Sequence, residues 1–270
     1  MTSVLTAAAA MLLPAASQAA IVVGSDLTLP ATRATEDCIL STPPCTRLPF
    51  AVHTGNAFPR KSPAKGQITS FGIKSGAAET VTFRLGQFPG SGNAISTATG
   101  PTVALSGAGT YSFPVAMPIK VGDIVGMDAG PTHAVSGLPS GGCLNGAGYV
   151  LFHPPLTNGV AQAGDSTNAC EVLVNAVIVP SGKFTFAKLR QNKGAGTATL
   201  TVKLPGPGKL SLAGKGVARA KKKAKAAGKA KLQIRPVGAV TGTVTLRIRV
   251  TFSPTGGDPN TEKRKITLHH

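Results

Sequence analysis

The sequence predicts an all-β protein of two antiparallel β-sandwiches: a jelly-roll-like N-terminal domain and a small immunoglobulin-like C-terminal domain. Three observations carry that prediction. Gly (33) and Pro (21) together occupy one position in five of the 270, which breaks helices at short intervals. Apolar and polar residues alternate with the period of two that belongs to half-buried strands. Hydrophobic residues make up 42% of the chain, enough for packed cores and too many for a collagen-like or disordered chain.

Residues 21–65 are loop-rich, with Pro43, Pro44, Pro59 and Pro63. Strand signals follow. Val81, Phe83 and Leu85 alternate with Thr80, Thr82 and Arg84, and Tyr111, Phe113 and Val115 repeat the pattern. Ile119 and Val121 lead into a Gly122-Asp123 turn, after which Ile124 and Val125 resume an apolar run. Residues 149–152 and 172–179 are denser runs, as in central strands covered on both faces. These elements predict the first sandwich, residues 21–180.

Pro180-Ser181-Gly182 is the predicted boundary, because composition changes there. Beyond it, Leu200, Val202 and Leu204 oppose Thr201 and Lys203, and Leu210 and Leu212 oppose Lys209 and Ser211. Ala230, Leu232 and Ile234 oppose Lys229, Lys231, Gln233 and Arg235. Val244, Leu246, Ile248, Val250 and Phe252 oppose Thr245, Arg247, Arg249 and Thr251, and Ile266 and Leu268 end the series. With Phe184 and Phe186 this predicts about six strands over residues 181–270, a small sandwich with lysine and arginine outward. Outward lysines also discourage edge-to-edge pairing.

Charge divides the chain at the same point. Residues 21–180 hold eight basic and eight acidic side chains, whereas residues 181–270 hold twenty basic ones against Asp258 and Glu262. The net charge of +18 therefore belongs to the C-terminal part, and the two parts are expected to have different partners.

Residues 1–20 read as an export signal. An apolar run over residues 4–16 includes Met11, Leu12 and Leu13, with small residues at Ser17, Ala19 and Ala20. No Lys or Arg precedes the run, and a frayed Ala-rich terminus is the alternative. That run is too short to span a bilayer, which needs ~20 apolar residues, and no other stretch reaches that length, so no transmembrane segment is expected. Cys38, Cys45, Cys143 and Cys170 form an even set, which in an exported chain predicts two disulfides. Three pairings exist; Cys38–Cys45 with Cys143–Cys170 closes the shortest loops, for ~2.5 and ~3.6 kcal/mol in the chain-entropy model. No C-x-x-C or Cys/His pair at zinc-ligand spacing appears.

Sites of chemistry are scarce. There is no G-x-S-x-G elbow and no H-E-x-x-H helix. Around Gly208, Gly214 and Lys215 the glycine spacing is too long for a phosphate loop, and Gly216 stands where Ser or Thr is needed. His53, His133 and His153 are isolated and read as surface residues. Asp165, Asn168 and Glu171 cluster oxygen ligands of a kind that suits calcium, although turn formation explains them as well. Asp123, Asp128, Asp165 and Glu171 are the acid/base candidates for a hydrolase. With no Trp, Tyr149 is the one candidate sugar-stacking ring, Tyr111 sharing its parity with core residues. No cofactor is implied.

The strongest local feature is basic. Arg219, Lys221, Lys222, Lys223, Lys225, Lys229 and Lys231 fall within thirteen residues otherwise filled largely by Ala and Gly. Such a run is either a solvated loop or a polyanion-binding segment that displaces condensed counterions. Phe184, Phe186 and Phe252 have core parity, so bases would not be read by stacking.

Phe184-Thr185-Phe186, the run at residues 196–202, residues 204–210 and residues 252–257 resemble a Lys-rich module. Such modules end many uncharacterised secreted actinobacterial proteins, and residues 119–124 resemble the sandwich that often precedes them. The resemblance implies fold and compartment and transfers no catalytic residue. The expected function is that of a secreted or cell-wall associated, non-enzymatic binding or structural protein. Its basic domain would adhere to anionic cell-wall polymers or polysaccharide, and non-specifically to nucleic acid. The alternative is an exported hydrolase or lectin-like glycan-binding protein using the N-terminal sandwich.

Overall fold

A computed structural model describes residues 20–31, 33–34, 44–90, 92–130, 134–135, 143, 146–238 and 241–269. Nearly the whole expected export signal, Cys38 and His133 lie outside the described residues. Apart from a 3-10 turn at Lys193–Ala195, every regular element among them is a β-strand. The first part contributes β1 (Ile21–Gly24), β2 (Arg33–Ala34), β3 (Cys45–Ala51), β4 (Gly66–Ser75), β5 (Ala78–Gly90), β6 (Asn93–Ser106), β7 (Gly109–Ile119), β8 (Ile124–Ala129), β9 (Ala134–Val135), β10 (Gly148–Phe152), β11 (Ala161–Ala163), β12 (Ser166–Asn168) and β13 (Val174–Pro180). The second contributes β14 (Thr185–Asn192), β15 (Thr197–Leu204), β16 (Gly208–Gly214), β17 (Ala220–Ala224), β18 (Gly228–Ile234), β19 (Thr243–Pro254) and β20 (Asn260–His269).

The first part is a jelly roll. One sheet runs β1-β13-β4-β7, and the facing sheet contains β6-β5-β8-β3, all pairs antiparallel. This is the double-sheet, eight-strand order in which the chain crosses repeatedly between layers. Phe71 of β4 and Phe83 of β5 stack across the layers at 4.3 Å between ring centroids, amid Ile68, Val81, Leu85, Met127, Val174 and Ile178. The segment between β8 and β13 adds β10 and β12 beside β3 and β11 beside β6, widening that sheet to seven strands. Leu156 from the same segment packs with Leu48, Ile124, Val150 and Phe152 in a second, smaller cluster.

Several of these strands carry no clear sequence signal. In β3 the period is broken by Pro49 and by Arg47, which is fully buried and donates from Nη2 to the Gly130 carbonyl at 3.0 Å. In β6 Gly100 and Pro101 interrupt the alternation, and much of its far half is solvent-exposed. The stretch expected to be loop therefore holds β1 and β3, a terminal and an interior strand.

The second part has the immunoglobulin-like architecture with seven strands, in sheets β14-β15-β18 and β17-β16-β19-β20. Its core contains Leu200, Val202, Leu210, Leu212, Leu232, Ile248, Val250 and Phe252, each on the predicted inward parity. The strand not anticipated is β17, an edge strand paired to β16 and made of Ala-Lys-Lys-Lys-Ala. The two parts touch where the Lys65 amide donates to the Pro205 carbonyl at 2.9 Å and the Ser181 amide to the Lys65 carbonyl at 2.8 Å. Gly206 lies where an added Cβ would collide with buried Ala64, so close approach there requires glycine.

The disulfide Cys143–Cys170 is present with Cα atoms 4.7 Å apart. Cys45 is also disulfide-bonded. No helix among the described residues is long and apolar enough to cross a membrane.

Candidate polyanion-binding faces

The acid/base candidates are dispersed into separate structural roles. Asp128 lies on the outward side of β8, buried beneath the added segment and ion-paired with Arg84 of β5. Its Oδ1 also accepts from Thr46 Oγ1 at 2.5 Å, while Arg84 Nη1 donates to Thr99 Oγ1 at 2.5 Å. Thr99 and Ser96 both donate to Asn158 Oδ1, and the Leu156 amide donates to Thr46 Oγ1, which ties the added segment down. Asp123 accepts from the Lys120 amide and from Gln87 Nε2, closing the predicted turn. Asp165 accepts from the His153 amide and Asn168 from the Cys170 amide at 3.1 Å. Glu171 points elsewhere, so the three oxygen groups weighed for calcium serve three different partners.

Glu171 takes part in a cluster that the sequence did not reveal. Fully buried, its Oε2 accepts from the His53 amide at 3.1 Å and lies 2.6 Å from His53 Nδ1. His53 Nε2 lies 3.7 Å from Asp26 Oδ2. Burial pushes the Asp26 carboxyl up, but hydrogen bonds from the Thr28 hydroxyl and amide and the Ala57 amide, with the His53 charge, hold it below its ordinary value. His53 is thus mostly buried and engaged, not a surface residue. These three positions lie up to 145 residues apart in the chain, so no local motif marks them.

Tyr149 is likewise not available to a sugar. It is fully buried in the jelly-roll core, on the inward parity of β10. Tyr111 is half-buried and donates its hydroxyl to the Gly107 carbonyl at 2.9 Å.

The basic run is not a single loop, and its members separate. Arg219 precedes β17 and Lys225 lies in the turn after it, both exposed. Lys221 and Lys223 project from the outer face of the four-strand sheet, while Lys229 and Lys231 project from the outer face of the three-strand sheet. The reason is topological: the connection from β17 to β18 crosses from one layer to the other. Lys222 has inward parity on the edge strand, and its Nζ reaches across to the Lys231 carbonyl at 3.4 Å. An inward-pointing charge of this kind blocks sheet extension at the edge.

Pairing register then adds cations that the contiguous run does not contain. On the four-strand face Lys209 sits directly opposite Lys223, Arg247 opposite Lys265, and Arg249 opposite Lys263. Ser211, Thr251, Thr261, Thr245 and Thr267 fill neighbouring positions. Two shallow depressions lie along it, about 600 Å³ beside Lys215, Arg247 and Lys263 and about 420 Å³ beside Lys209, Ser211 and Lys221. On the three-strand face Lys203 is opposite Lys229, and Thr201 lies between Lys188 and Lys231. A depression of about 520 Å³ there is lined by Lys188, Arg190, Thr199, Thr201, Lys229 and Lys231, among others.

Like charges placed directly opposite destabilise a sheet. Here they occur four times, and among the described residues no carboxylate is ion-paired with them. Among the described residues no ion pair falls in the C-terminal part; His53–Asp26, His53–Glu171 and Arg84–Asp128 all belong to the jelly roll. Glu262 has inward parity opposite Val250 and accepts from Asn260 at 3.2 Å. Arg264, of the same parity, lies 5.3 Å from the Phe186 ring centroid and caps the core.

No protein family and no curated protein matches the chain. One solved structure with which it aligns is the glycoside hydrolase domain of Endo-D from Streptococcus pneumoniae R6. Identity is 12% and the TM-score 0.23, over 74% of this chain and 29% of that one, so the chain spans less than a third of that structure. The expectation of a non-enzymatic chain is corrected on this finding and is not carried further. At that TM-score the likeness assigns no activity either.

Proposed function

We propose that residues 181–270 form a domain that binds an anionic polymer and holds the jelly roll of residues 21–180 against it. The observation that carries this reading is the set of four like-charge cross-strand pairs, none of them ion-paired to a carboxylate among the described residues. Cross-strand pairs are worth roughly 0.2–1 kcal/mol each, so an arrangement that makes them repulsive is intelligible if an external anion neutralises it. Among the described residues these faces carry no Phe or Tyr, and apart from His269 at the end of β20 they present cations and polar or methyl groups, which fits contact with backbone charge and not with bases. An open sheet face with shallow depressions also suits a flexible chain, which can follow its surface, better than a rigid duplex. The partner is therefore a base-free phosphodiester polymer of the wall-teichoic kind, and the protein works outside the membrane after export.

The test is titration of the full chain with purified poly(glycerol phosphate) over a range of salt. Binding should weaken linearly in log–log form, by roughly 0.7–0.9 of a counterion per phosphate neutralised. Replacing Arg247, Arg249, Lys263 and Lys265 by Gln should lower that slope. Tight binding that ignores salt, or no binding at low salt, would overturn the reading.

A further inference from the structure

The geometry points to a bivalent C-terminal sandwich, each outer face holding its own strand of anionic polymer, so that one chain bridges two polymers. This rests on the polyanion reading above and extends it. The two faces belong to opposite layers of one sandwich. The Arg247–Lys265, Arg249–Lys263 and Lys209–Lys223 pairs lie on one side, and the Lys203–Lys229 pair with Lys188 and Lys231 on the other. All of these cations are exposed. Between them lies the apolar layer containing Leu200, Val202, Leu212 and Val250, which no polymer can enter.

Packed sheets sit about 10 Å apart, and side-chain stems on both sides bring two bound strands to about 20 Å separation. The Debye length at physiological ionic strength is about 8 Å, so repulsion between two such strands is largely screened and both can be held together. Each face also has its own like-charge pairing to relieve, so occupying one does not remove the reason for occupying the other. The competing geometry is a single strand that wraps the open edge past Lys225 and Lys222 to reach both faces.

Two batches of poly(glycerol phosphate), one biotinylated and one fluorescent, distinguish these cases with the full chain. Wild-type protein should carry the fluorescent batch onto streptavidin beads. Two variants remove four cations from one face each: Arg247→Gln/Arg249→Gln/Lys263→Gln/Lys265→Gln, and Lys188→Gln/Arg190→Gln/Lys229→Gln/Lys231→Gln. Each should melt no lower than wild type and still bind a single batch, while co-capture falls about tenfold or more as one set of phosphate contacts is lost. Wild-type binding without co-capture would mean wrapping and would overturn bivalency alone. Co-capture retained in both variants would locate bridging in self-association and overturn it too. No binding by wild type would overturn the polyanion reading beneath it.

Discussion

The two halves solve the same architectural problem with opposite treatments of charge. In both, two sheets bury one face of most strands, and the outward parity is left to be settled. The jelly roll covers part of its outward face with the segment between β8 and β13, so Arg84 and Asp128 meet there under Leu156 and Asn158. The C-terminal sandwich has no such cover, and its outward face holds cations opposite cations. A charge that must be desolvated is paired; a charge left in water needs no partner within the fold and stays available for one outside it.

This contrast can be broken most forcefully at Asp128. Changing Asp128→Ala should destabilise the jelly roll by about 3–5 kcal/mol, because the buried Arg84 guanidinium loses its counter-charge. Calorimetric unfolding of the full chain measures this; a loss below about 1 kcal/mol, the scale of exposed ion pairs, would show the pair to be solvated after all. A smaller effect is expected at Asp26. Its folded pKa is depressed, so its contribution is present above the ordinary carboxylate value near about 4 and disappears as pH falls through the lowered folded value. Asp26→Asn should flatten the acid limb of the stability–pH curve, which thermal melts across pH would record. The smallest effect concerns the other half and has the opposite sign. Arg249→Thr removes one repulsive pair with Lys263 and should raise stability by a few tenths of a kcal/mol, about the size of one cross-strand term. A measurable loss in chemical denaturation would show that Arg249 packs in a way its exposure does not reveal.

Alternation was a strong guide wherever one face was buried and the other wet. Residues 243–254 alternate from Val244 to Phe252, and the whole of β19 follows that parity. The guide failed where burial was two-sided or absent. Arg47 sits fully buried in β3 and breaks the apolar run, while β17 buries almost nothing and so shows no apolar period. The same limit applies to the sites. Arg247 and Arg249 were recognisable as outward, yet only register places them beside Lys265 and Lys263.

By itself, the sequence determined the all-β class, the concentration of positive charge after residue 180 and the inward or outward parity of most C-terminal strands. These are local properties: a period of two fixes the face on which a side chain emerges, and composition fixes the sum of charge. Tertiary structure decided which side chains share a face, because pairing partners and layer crossings join residues far apart in the chain. That is why His53 meets Glu171 across 118 positions, and why a contiguous lysine run ends on two opposite surfaces.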